Sequence, residues 1–333
     1  MTLIRYLFCT FFVLLSLVSK GQTYPALGRI ESVDNSFKKI IDPDQVIQIL
    51  ADSMTWAEGP VWVPEHGFLL CSDPTRNTIY KWSVEDGFQP FLIPSGYTGL
   101  HPYSSEPGSN GLLINHMGEL VACEHGDRRI SKMSLSKGGK VTLADSWNGK
   151  RLNSPNDICQ HSDGSYFFTD PPYGLPDREK DTIHRGRAED GVYKITPNGK
   201  VEQVISDLQR PNGIAFSPDE SVLYVALSDP KKPHLLAYPF HDGKIVGDGK
   251  VLFDFTKQFS GEGAVPDGFK VDGQGNIFVG AGKGVAVISK EGKLLGRIYT
   301  GVATANCAFG DDNWLYITAS NFLLRVKLNT SSR

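Results

Sequence analysis

Cysteine is scarce, at five in 333 residues, and no two stand in the Cys-x-x-Cys spacing of a structural zinc site. One of them, Cys9, lies within the N-terminal apolar stretch. The other four, Cys71, Cys123, Cys159 and Cys307, sit inside apolar, strand-like runs, where cysteine behaves as a small buried apolar residue. They are expected as free core thiols. No charge of one sign dominates: 34 Lys and Arg face 37 Asp and Glu, for a net charge of -3. With no basic cluster, the chain offers no electrostatic footing for nucleic acid or an anionic membrane. Gly-x-Ser-x-Gly is missing, and Ser154 and Ser217 have no histidine in a nucleophile arrangement, which argues against a serine hydrolase. Dinucleotide and phosphate loops are missing too. Helical periodicity is nearly absent.

One apolar run stands out. Arg5 precedes Leu7–Val18, about a dozen residues and too short to cross a bilayer comfortably. Ser19-Lys20-Gly21 follows, with small residues suited to cleavage before Gln22. Residues 1–21 therefore read as a signal peptide and the protein as exported, periplasmic or secreted, with no membrane attachment after cleavage. Residues 22–44 are an unpatterned lead-in, and 45–333 a single catalytic domain.

What the chain has in quantity is short apolar runs separated by Gly and Asp turns. They repeat one phrase: an oxygen-bearing residue, a small or turn-forming residue, an apolar strand, a turn, and a second strand. Its copies begin at Glu58, Asn110, Asn156, Asn212, Asp267 and Asn306. Successive starts lie about one four-stranded blade apart. Six units predict an all-β, six-bladed β-propeller with four-stranded blades. The last unit shows three strands before the chain runs out. Val46–Leu50 is the orphan strand that closes the ring in the last blade and hides its edges. A polar insertion at about 176–190, containing His184, reads first as a solvated loop, with a rim or lid loop as the alternative.

In a propeller the innermost strands line a central channel, so the six phrase starts form a ring of oxygen ligands. Carboxylate and amide oxygens suit a hard cation such as Ca²⁺, and Glu58 and Asp267 balance its charge. A simpler reading remains open, because Asn-Gly and Asp-Gly are also common turn formers.

Glu58-Gly59-Pro60-Val61-Trp62, Ser154-Pro155-Asn156-Asp157, Arg210-Pro211-Asn212-Gly213 and Pro266-Asp267-Gly268 together resemble the signature segments of the SMP-30/gluconolactonase/LRE-like family. Asn110-Gly111-Leu112, Cys123–Arg129 and Thr169–Gly174 resemble its bacterial gluconolactonase branch. The resemblance spans about residues 45 to 330. It implies a sugar lactonase with one divalent cation, usually Ca²⁺, with Mg²⁺, Mn²⁺ or Zn²⁺ as competitors. It implies Glu58, Asn156, Asn212 and Asp267 as metal ligands. Asp267 is the expected base that activates water, or else a nucleophile. Asn110 and Asn306 are left for substrate, beside His125, Asp170 and Tyr173, with Glu124 and Arg129 as further candidates. Alternatives are an organophosphate-hydrolysing phosphotriesterase of the same fold, or a non-catalytic propeller that binds sugar or calcium. The substrate partner is a small sugar lactone.

Overall fold

The computed structural model describes residues 23–185, 190–259, 264–311 and 313–329. The segment 1–21, expected as a signal peptide, lies outside the described residues. Six antiparallel sheets form six blades. Blade one is Glu58–Val63, Phe68–Asp73, Thr78–Ser83 and Gly87–Leu92. Blade two is Ser109–Ile114, Leu120–Glu124, Arg129–Ser134 and Gly138–Ala144. Blade three is Ile158–Gln160, Tyr166–Thr169, Asp190–Ile195 and Val201–Leu208. Blade four is Pro211–Phe216, Val222–Leu227, His234–His241 and Lys250–Asp254. Blade five is Pro266–Val271, Ile277–Ala281, Gly284–Ile288 and Leu294–Tyr299. Blade six is Thr304–Phe309, Trp314–Ala319 and Phe322–Lys327, completed from the other end of the sequence by Gln48–Ala51.

Burial follows position in the blade. The second strand of blade one, Phe68–Asp73, is buried at every residue, whereas the outermost strand of blade two, Gly138–Ala144, is largely exposed. A strand sandwiched between neighbouring blades is apolar on both faces, so its sequence reads as a continuous run rather than an alternation. Six apolar clusters fill the six gaps between adjacent blades. All four described cysteines are free, and each packs in one of these clusters.

The closing strand, expected at Val46–Leu50, runs Gln48–Ala51. The lead-in before it does more than cover surface. Arg29–Ser32 adds a fifth strand to the outer edge of blade five, paired with Leu294–Tyr299. The short helix Phe37–Ile40 then drives Phe37, fully buried, into the cluster between blades five and six. A side chain at Gly296 would collide with the Phe37 ring. No described helix is long and apolar enough to cross a membrane.

Candidate active site

The innermost strands surround one axis. Four of the six phrase starts are followed by a glycine, and it has a steric purpose. A Cβ at Gly59 would strike the Asn110 carbonyl oxygen, one at Gly111 the Asn156 carbonyl, and one at Gly213 the Asp267 carbonyl. These glycines are therefore not turn formers. They allow the first residues of neighbouring blades to approach closely around the channel. Hydroxyls on the second strands stitch the same level together. Ser72 donates to the Asn110 carbonyl at 2.6 Å, Thr169 to that of Asn212 at 2.7 Å, and Ser228 to that of Pro266 at 2.6 Å.

The stitching frames a cavity of about 250 Å³, lined by Glu58, Asn110, Asn156, Asn212 and Asp267, with Tyr173, Trp56, Glu106, Arg210, Ser228, Pro230 and Val265. Five of the six phrase starts thus converge. Asn306 does not line the cavity. A bulge interrupts most of the inner strands, and regular pairing resumes at Leu112, Ile214 and Phe269, two residues beyond the phrase start. In blade six it resumes at Asn306 itself. Counted from the last pair before the bulge, at Ser109, Pro211, Pro266 and Thr304, Asn306 thus falls one residue further along its strand than Asn110, Asn212 and Asp267 do. There its side chain abuts Gly268 and accepts from Lys270 Nζ at 3.4 Å. Buried Asp157 belongs to the same deep layer, held by Lys270, Asn306 and the Ile158 N–H at 2.9 Å.

Three other expected substrate contacts are placed elsewhere or differently. His125 is fully buried behind the cavity wall; its Nδ1 stands 3.2 Å from the Glu106 carbonyl, and burial pushes its pKa down to about 4, so the ring is neutral. Asp170 is also fully buried and accepts from the Asn153 N–H at 2.8 Å, a bracket for the chain that leads to Asn156. Glu124 is buried between Arg129 and Lys140, each 2.6 Å away, within blade two. Of the set, Tyr173 does face the cavity, hydrogen-bonded to Ser228, with its phenol pushed well above the usual range by burial. Trp56, Glu106 and Arg210 were not expected as site residues. Glu106 comes from the Gly/Pro/Ser-rich loop before blade two, which carries no periodic signal.

The charge of the cavity is unbalanced. Glu58 is almost wholly buried, and burial, then the neighbouring Asp267 charge, raises its pKa well above the ordinary carboxylate value. The Gly59 N–H, at 3.1 Å, and the Trp56 side chain oppose the shift. Burial also pushes Asp267 up to about 7, against a stabilising hydrogen bond from the Asn212 amide; the charges of Asp157 and Glu106 push the same way as burial. No Lys or Arg side chain among the described residues bonds to either carboxylate. The buried Oδ1 of Asn156 has no hydrogen-bond donor among them either. Two acids without a counter-charge and an amide oxygen without a donor fit a hard divalent cation. No group of three or more His, Cys, Asp or Glu is gathered for a metal among the described residues; here half of the donor set is amide.

Residues 56–321 match the sequence pattern of the SMP-30/Gluconolactonase/LRE-like region. The chain belongs to the SMP-30/gluconolactonase/LRE-like family. A gluconolactonase from Zymomonas mobilis is 35% identical over 91% of this chain and 87% of its own. The solved structure of a gluconolactonase from Xanthomonas campestris is 29% identical, with a TM-score of 0.78 over 92% of this chain and 99% of that one. Regucalcin from Agrobacterium tumefaciens, described as a calcium-binding protein, shares the fold at 18% identity and a TM-score of 0.66, over 92% of this chain and 95% of its own. The family member described here is a lactonase, and its blades are those of the gluconolactonase propellers.

Proposed function

We propose that the protein opens sugar lactones, the cyclic esters produced when an aldose is oxidised at its anomeric carbon, with one divalent cation held by Glu58, Asn156, Asn212 and Asp267. The observation that carries this reading is the pair of uncompensated acids beside the donorless Asn156 oxygen. Ca²⁺ suits carboxylate and amide oxygens, while Mg²⁺, Mn²⁺ and Zn²⁺ compete for them. Bound there, the ion supplies polarisation of the lactone carbonyl and acidification of a water.

Asp267 is the base. Its carboxylate takes a proton from the attacking water as the water oxygen bonds to the carbonyl carbon. The ring C–O bond then breaks, and the departing alkoxide takes the proton from Asp267, leaving a hydroxy acid. A pKa that burial brings to about 7 makes that proton inexpensive to accept and to return near neutral pH; a nearby cation draws it lower. Asn212 orients the carboxylate through its amide. Asn110 and Tyr173, on the cavity wall, are placed to meet the substrate beside the ion. A titration assay with glucono-δ-lactone and an organophosphate triester tests the reading. Turnover of the lactone is expected. Turnover of the triester alone would transfer the site to phosphotriester chemistry, and turnover of neither would make it a binding module.

Export completes the proposal. It is supported by Arg5, the Leu7–Val18 run and the small residues at Ser19 and Gly21. The protein recovered outside the cytoplasm is expected to begin at Gln22 by N-terminal sequencing. An intact Met1 on the recovered chain would reject it.

A further inference from the structure

The connection between the second and third strands of blade three carries two adjacent residues of opposite charge on one 3-10 turn, Arg178–Lys180. Arg178 Nη2 donates to Glu106 Oε1 at 2.7 Å. Glu179 Oε1 forms an ion pair with Arg210 Nε, also at 2.7 Å. Glu106 belongs to the loop ahead of blade two, and Arg210 immediately precedes the innermost strand of blade four. Both line the cavity that holds Glu58 and Asp267. One turn therefore holds an acid from one side of the cavity and a base from another.

Neither residue is saturated by its partner. Among the described residues the Glu106 side chain receives its hydrogen bond at Oε1, which leaves Oε2 open. Arg210 is engaged through Nε, which leaves the donors of Nη1 and Nη2 without an acceptor among them. The Arg210 backbone is held in the left-handed region, at φ 52, a conformation uncommon outside glycine. Its N–H donates to Asp190 Oδ2 at 3.1 Å, and its carbonyl accepts from the Ser228 N–H at 3.0 Å. These contacts fix where the guanidinium begins.

A lactone carbonyl directed at Glu58 and Asp267 leaves the rest of its ring facing the remaining walls. Bare methylenes there would offer neither the half-buried Glu106 carboxylate nor the Arg210 guanidinium a partner. Ring hydroxyls satisfy both, donating to the one and accepting from the other. A site built on such bonds rejects an analogue lacking the hydroxyls far more strongly than an apolar wall does.

We infer that Glu106 and Arg210 are specificity-determining residues that bind the hydroxyl groups of a polyhydroxylated lactone, and that Arg178 and Glu179 are positioning residues which hold them at the cavity wall. The inference rests on the lactonase reading and assigns the residues by which the site recognises the hydroxyls of its sugar.

The test is steady-state kinetics on glucono-δ-lactone and δ-valerolactone, which lacks the hydroxyls. It is run on the full-length protein at pH 8, above the Asp267 pKa, so that a changed ionisation of that base does not enter. The readout is the ratio of kcat/KM for the hydroxylated over the bare lactone. Glu106→Gln and Arg210→Met are each expected to lower this ratio about 10- to 100-fold, the size of one charge-assisted hydrogen bond. Arg178→Met is expected to lower it less, through a raised KM for the sugar lactone with kcat within about twofold. Arg178→Met also serves should Glu106→Gln fail to fold, because it keeps the carboxylate and removes its holder. An unchanged ratio in these variants overturns the inference, whatever happens to the individual rates. A wild type that opens both lactones equally well overturns it while leaving the lactonase reading standing. A wild type inert toward both removes that reading as well.

Discussion

Replacing Asp267 with asparagine lowers kcat for sugar-lactone opening by about 10²- to 10⁴-fold, the usual contribution of a positioned base, and leaves cation binding measurable. Asparagine keeps a side-chain oxygen where the carboxylate oxygen was. It can still coordinate an ion and still accept from the Asn212 amide. It cannot take a proton. The loss is therefore expected in kcat and kcat/KM alike, with calcium binding retained by calorimetry. In the wild type, kcat/KM should rise with pH as Asp267 ionises, from a midpoint at or below about 7; the variant should lose that limb. Normal turnover by Asp267→Asn would remove the base assignment. Turnover lost together with calcium binding would reduce Asp267 to a ligand.

Stripping the cation with a chelator is expected to abolish turnover and to leave a fold whose stability falls as pH rises. The sign follows from the two acids. Glu58 and Asp267 both have folded pKa values raised above those of the unfolded chain, chiefly by burial. Below about pH 4, the ordinary carboxylate value, both acids are protonated in the folded and unfolded states alike, and their folded-state interactions carry no penalty. Between there and the raised folded values, about 7 for Asp267, the unfolded chain gives up these protons first, so stability is progressively lost. Calcium reverses this by occupying the ionised pair. An excess of about 100 times its dissociation constant adds about 2.7 kcal/mol. Scanning calorimetry should thus show a calcium-dependent rise in Tm that is large at pH 8 and small at pH 5. Glu58→Gln should shrink that rise and weaken calcium binding. A rise equal at both pH values, or turnover indifferent to chelator, would count against a cation at this site.

Much of this was legible in the primary structure because a propeller repeats itself. Six oxygen-bearing starts leading into apolar strands mark six inner strands, and the lone strand near residue 48 could belong only where three strands needed a fourth. The errors share a physical cause. A phrase can be overlaid by residue type, but depth in the channel is set by where the bulge ends. Ala305, one residue before Asn306, takes the place in the register that the other blades give to their oxygen ligand. His125 and Asp170 follow second strands, as a channel residue would, yet both turn into backbone brackets. Glu106 and Arg178 lie in segments without periodicity, and only the folded chain brings them within 2.7 Å across 72 positions. Arg210 was in view as part of a motif, but nothing in its neighbours announces that Glu179 would hold it.

The strand near residue 48 has a temporal consequence. Arg325 Nε reaches Gln48 Oε1 at 2.8 Å across a separation of 277 residues, and Phe37 finds its socket only once blades five and six have met. Until that far segment has emerged, the early strands have no edge to join, and the ring remains an open arc with both flanks exposed. Such long-range pairing is slow to form. A chain made N-terminus first carries its clasp ahead of the piece it must fasten to. The cavity needs its inner strands drawn around one axis, and so depends on that late closure.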